Sequence, residues 1–179
     1  MLIKILIGLA ALVGLLLVVV ALQPSEFRIT RTATIAAPPA AVFAQVNDFH
    51  KWEAWSPWAK LDPAARNTFD GAPAGTSAVF AWAGNSKVGE GRMTITESRP
   101  NELVRIKLEF VKPWKATNTV TFTFVPAADK TKVTWAMDGD NNFAAKAFGM
   151  FMSMDTMIGG MFEKGLAQMK SIAEAAGKA

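Results

Sequence analysis

The sequence predicts an α+β domain: an antiparallel sheet of about six to seven strands around a long C-terminal helix, behind an apolar N-terminal segment. Three observations predict it. From Phe143 onward, apolar residues recur every three or four positions (Ala147, Phe151, Met154, Ile158, Phe162, Leu166, Met169), forming one stripe of an amphipathic helix. Between Glu26 and Met137 most segments alternate apolar and polar residues, the period of a half-buried strand. Residues Ile5 to Gln23 carry no charge. A long helix with one apolar face needs a sheet to bury that face.

Taken in order, residues 1–23 read as a transmembrane anchor. The run Ile5 to Leu22 is 18 residues of Leu, Ile, Val, Ala and Gly, the lower length for a membrane span. Lys4 and the amino terminus put the positive charge on the N-terminal side, so the domain is expected outside the cytoplasm, in the periplasm if the source is bacterial. The competing reading is a signal peptide with Val19 and Ala21 before a cut. The run is longer than the usual 7–15 apolar residues of such a segment. Residues 24–26 form a linker, and residues 27–176 form one domain. About 155 residues beyond the tail suit one domain with a core that needs no staples.

Phe27, Ile29, Ala33 and Ile35 alternate along a first strand, with Arg31 on its apolar side. Ala36-Ala37-Pro38-Pro39 opens a short helix with Val42, Phe43 and Val46 on one side, since Pro is tolerated in a first turn. Trp52, Trp55 and Trp58 follow at a spacing of three, and a second short helix ending at Ser56-Pro57 places Trp52 and Trp55 on one side. Strands then alternate with turns at 71–75, 84–85, 99–101 and 125–130. Val104, Ile106, Leu108 and Phe110 share one strand face. Thr117, Thr119, Thr121 and Thr123 form the outward side of the next strand, and Val133, Trp135 and Met137 face inward on the last. Asn141 and Asn142 precede the long helix as N-cap residues. Gly149, Gly159, Gly160 and Gly165 interrupt that helix, and Gly159-Gly160 marks a kink or a thin spot where something packs closely.

Composition narrows the chemistry. There is no Cys and a single His, His50, which argues against structural zinc, haem–thiolate, iron–sulfur and Cys-nucleophile chemistry. The net charge is +4 and the basic residues are spread, a poor match to nucleic acid. There is no dinucleotide fingerprint, phosphate loop or nucleophile elbow, no metal-ligand spacing, and no cofactor is expected. His50 reads as a solvated loop residue rather than a catalytic base.

What remains is an aromatic and Met inventory expected to line a ligand cavity: Trp52, Trp55, Trp58, Trp82, Met93, Phe110, Trp114, Phe122, Trp135, Phe151, Met154 and Ile158. The competing reading is that these side chains fill the core. The Trp trio reads either as the mouth of a cavity or as a lid fastening the short helices to the sheet. Asp155 and Arg31 are the charges on apolar faces. They read either as a polar anchor for a ligand or as an ion pair or edge charge reaching water.

Several segments carry a family resemblance: Ala36-Ala37-Pro38-Pro39-Ala40-Ala41-Val42-Phe43 leading to Asn47-Asp48-Phe49, then Trp52-Glu53-Ala54-Trp55-Ser56-Pro57-Trp58 and Gly75-Thr76-Ser77-Ala78. Gly89-Glu90-Gly91-Arg92-Met93, Ser98-Arg99-Pro100-Asn101-Glu102 and Phe162-Glu163-Lys164-Gly165-Leu166 extend it. From about Phe27 to Ala173 the chain resembles the START-like SRPBCC superfamily in its polyketide cyclase/dehydrase-like branch. The resemblance implies a helix-grip fold, a curved sheet gripping the C-terminal helix around an apolar cavity, and transfers no catalytic set. The expectation is a membrane-tethered domain that binds or carries a small hydrophobic, lipid-like ligand. The alternatives are a cyclase- or dehydrase-type enzyme using Asp155 or Glu97, and a ligand-free interaction or stress-related domain.

Overall fold

The computed structural model describes residues 1–150 and 153–176. Seven strands form one antiparallel sheet in the order β1-β7-β6-β5-β4-β3-β2. They are β1 (Glu26–Ile35), β2 (Arg66–Gly71), β3 (Ala78–Ala83), β4 (Glu90–Arg99), β5 (Leu103–Lys112), β6 (Ala116–Ala127) and β7 (Lys130–Asp140). From β2 to β7 each strand pairs with the next, while β1 sits at one edge beside β7. The connection from β1 to β2 therefore crosses the sheet. It carries α2 (Pro39–Val46), a 3₁₀ turn (Phe49–Lys51) and α3 (Trp52–Trp55). The remaining helices are α1 (Leu2–Leu22), α4 (Phe143–Gly149) and α5 (Met154–Ala176).

The alternation in the sequence becomes the two faces of the sheet. Ile29, Ile35, Ile95, Ile106, Val120, Phe122, Val133 and Trp135 are buried on the inner face. The Thr117 to Thr123 ladder points away from it, as the period of two requires. α5 rests on β1, α2 and α3 and buries Phe162, Leu166, Met169 and Ala173. Two hydrogen bonds tie the crossing segment down. Thr131 Oγ1 donates to the Ala37 carbonyl at 2.7 Å, and the Ala36 N–H donates to Glu174 Oε1 at 2.7 Å.

The expected single helix is two. Asn142 does cap a helix, accepting the Ala145 N–H at 2.9 Å, but that helix is α4 and it ends at Gly149. Ser153 starts another, its Oγ accepting the Thr156 N–H at 3.2 Å. A second N-cap residue accepts an orphan N–H of a new first turn, and the buried face begins only there, since α4 buries none of its residues. α5 itself runs unbroken through Gly159-Gly160.

α1 has the length and composition of a membrane-crossing helix or a signal sequence. Val20 is its one buried residue. Its last turn lies against α4, where Lys146 Nζ donates to the Ala21 carbonyl at 3.4 Å.

Candidate functional site

The space between α5 and the sheet is packed with rings. Trp135 stacks on Phe162 with centroids 4.1 Å apart and planes 9° from parallel. Phe122 lies 4.8 Å from Trp135, and Trp52 lies 4.6 Å from Trp55. Edge-to-face contacts join Trp55 to Trp135 and Trp58 to Phe162. Both geometries suit the ring quadrupole. The expected cavity among Trp52, Trp55, Phe122 and Trp135 is thus occupied by their own side chains, all buried.

The Trp trio divides by role. Trp52 Nε1 donates to the Val46 carbonyl at 2.9 Å and Trp55 Nε1 to the Gln45 carbonyl at 3.0 Å. Each indole thereby satisfies a carbonyl at the C-terminal end of α2, locking α3 onto it. These two fasten the short helices to the sheet, as the structural alternative has it. Trp58 is half-buried at the rim of the cluster. His50 is exposed, bonded through Nδ1 to Asp48 Oδ1 at 2.9 Å and stacked on Phe69.

Arg31 and Asp155 meet directly. Arg31 Nη1 and Nη2 each donate to an Asp155 carboxylate oxygen at 2.9 Å, and Nε donates to Glu163 Oε1 at 2.6 Å. The Asp155 side chain is 59% exposed and that of Arg31 22%. The hydrogen bonds from Arg31 hold the Asp155 carboxyl below its ordinary range against a smaller desolvation cost, and the charge of Arg31 adds a lesser pull in the same direction. Asp155 is therefore no polar anchor inside a cavity; it is a surface clamp from α5 to β1. Glu97 is similarly engaged, bridged to Arg105 and Arg99.

The aromatic cluster does not stop under α5. It continues across the inner face through Phe49 to Phe80, from Phe80 to Trp82, and from Trp82 to Phe110, with successive centroids about 6 Å apart (6.0, 5.9 and 5.9 Å). Phe69 joins Phe80 from β2 at 5.2 Å. Phe80, Trp82 and Phe110 are half-buried and Phe69 is exposed. This strip lies beyond β1, α2 and α3, on which α5 rests. Trp82 is held on two sides: its Nε1 donates to the Val88 carbonyl at 3.0 Å, and its ring lies over Gly91. A Cβ at Gly91 would sit 2.5 Å from that ring, so only glycine lets it lie flat there. Met93 and Leu108 back the strip and are nearly buried.

Of the other residues singled out in the sequence, Met154 and Ile158 are half-buried against the core. Phe151 lies outside the described residues. Trp114 is not a cavity residue: it is 74% exposed in the β5–β6 connection, in a segment outside the strand pairing. Phe80 and Phe69 were not among the expected residues. Phe80 was legible as the i−2 neighbour of Trp82, but Phe69 needs the β2–β3 register. Among the described residues, no group of acidic, His or Cys side chains has metal-binding geometry. Trp135 Nε1 and Gln168 Oε1 are buried without hydrogen-bond partners among the described residues. An open groove of about 450 Å³ lies on the outer face, lined in part by Arg92, Glu109 and Lys115.

Comparison with known proteins gives the same fold. Residues 26–174 match the family model described as polyketide cyclase / dehydrase and lipid transport. Protein CV1439 from Chromobacterium violaceum is 15% identical, with a TM-score of 0.59 over 85% of this chain and 99% of its own. The Aha1 dimer from Colwellia psychrerythraea is 14% identical, with a TM-score of 0.60 over 83% and 96%. The di-domain ARO/CYC StfQ from the steffimycin biosynthetic pathway is 12% identical, with a TM-score of 0.62 over 87% of this chain and 53% of its own. No curated protein matches the sequence.

Proposed function

Because the chain belongs to the polyketide cyclase / dehydrase and lipid transport family, we propose that its domain binds a small hydrophobic, lipid-like ligand on the open aromatic strip of the sheet. α1 holds the domain to a membrane from the extracytoplasmic side, with Gln23, Pro24 and Ser25 as the link. The observation that carries this reading is the strip of Phe69, Phe80, Trp82 and Phe110. A contiguous set of large rings left half-covered on an inner sheet face is what an apolar ligand would complete. Trp82 is seated in advance on Gly91, so binding would not have to order its ring. Met93, the cross-strand partner of Phe80, supplies an adaptable apolar contact beside the strip.

Native mass spectrometry of residues 24–179, purified gently and followed by extraction, tests this. The expected result is a co-purifying apolar molecule of defined mass, lost in Trp82→Ala but kept in Trp114→Ala. An apo mass, with no uptake from a lipid extract, overturns it.

A further inference from the structure

The register places several exposed features at one end of the sheet. Glu26, the first residue of β1, pairs with Asp140, and one step inward Gly139 pairs with Asn118. In the neighbouring ladder Thr117 pairs with Glu109 and Ala116 with Phe110. Residues 111–115 therefore project past the row where the chain enters β1, on the side from which α1 arrives. Strands lie about 4.8 Å apart, so this hairpin sits only about 10–14 Å sideways from the start of β1. α4 reaches the same end, against the last turn of α1.

Both elements present large apolar side chains to solvent. Val111 and Trp114 are exposed on the hairpin; Phe143 and Phe148 are exposed on α4, which buries none of its residues. Each group is flanked by lysine: Lys115 on the hairpin, beside Lys112 which is paired with Glu90 at 2.7 Å, and Lys146 on α4. Tryptophan beside lysine is the composition that settles at headgroup depth, the ring in the interface and the ammonium on anionic lipid.

We propose that the 111–115 hairpin and α4 form a second membrane contact, in which Trp114, Phe143 and Phe148 enter the headgroup layer of an anionic bilayer. This rests on the reading of α1 as a membrane helix. The partner is a bilayer because both apolar groups lie at the end of the sheet where α1 joins the domain, and Lys115 and Lys146 set beside them the positive charge that such a surface attracts.

The chain has no Cys, so a single introduced thiol can be labelled cleanly. Ala116→Cys keeps Trp114 and its lysines, and Asn101→Cys marks the opposite end of the sheet. The full chain carrying a nitroxide at either site is reconstituted into vesicles of phosphatidylcholine and phosphatidylglycerol. Collisional accessibility to oxygen and to a water-soluble nickel chelate is then measured. The expected result is a label at 116 shielded from the chelate several-fold more than one at 101. That shielding falls when Trp114→Ala and Lys115→Glu are combined, or when phosphatidylglycerol is left out. Equal chelate access at 116 and 101, in a chain that resists carbonate extraction, overturns the rim contact and leaves the anchor standing. A chain stripped from the vesicles by carbonate overturns the anchor and the rim contact together.

Discussion

Arg31 can reach Asp155 only because residue 159 has no side chain. A Cβ there would lie 2.1 Å from Arg31 Nη2, so the guanidinium passes over the helix backbone at that point. Gly165 does the same for the core: its Cβ would lie 2.8 Å from the Trp135 ring and 3.1 Å from Pro57 Cδ. Gly160 has nothing within 4 Å. The three glycines look alike in the sequence and make opposite predictions. Gly165→Ala should destabilise the domain by about 1–3 kcal/mol through overpacking. Gly160→Ala should stabilise it by about 0.4–1 kcal/mol by restricting the unfolded chain. Denaturant melts of the two variants check both signs. A thin spot at Gly159 was legible from helix propensity alone. Its occupant was not, because Arg31 lies far away in sequence and meets it only once β1 and α5 are packed.

At the scale of the element, the C-terminal stripe was legible as periodicity, but the break within it was not. Periodicity reports spacing and is blind both to a capped interruption and to which part is buried: α5 carries the buried face, while α4 buries none of its residues. The overlooked signal was Ser153, a cap residue two positions before an acidic one. Asp155 lies in the first turn of α5, where the helix dipole also favours a negative charge. Its folded carboxyl titrates below the unfolded value, so its contribution is present above the ordinary carboxylate range and is lost as pH falls through the folded value. Below about pH 4 the first turns of α5 should lose protection from amide exchange before the Leu166–Ala173 turns do. Asp155→Asn should show the same loss at neutral pH and little further change on acidification.

Across the whole molecule, the α+β class and the helix-on-sheet arrangement were legible because alternation and stripe each name a buried face, and two such faces must meet. Whether they meet around a hollow was not legible, since the same Trp and Phe residues line a cavity or fill one. Ring geometry decides it: Trp55 touches Trp52, Phe122 and Trp135 at once and has no exposed surface. Trp55→Ala should therefore cost about 3–5 kcal/mol in a denaturant melt. Trp82→Ala, at the open strip, should cost distinctly less, because its ring is only half-buried.

Only Gln23, Pro24 and Ser25 separate the last residue of α1 from the first of β1. Fully extended, three residues reach about 10 Å. With α1 in a bilayer as proposed, such a leash would remove most of the translational freedom of the domain and hold its hairpin at an effective concentration in the millimolar range relative to the lipid. A contact too weak to recruit a free domain would then hold an orientation. That orientation would bring the row of Trp82, Gly91 and Phe110, near the same end of the sheet, close to the lipid. The length of one linker would thus decide from which phase a greasy molecule arrives.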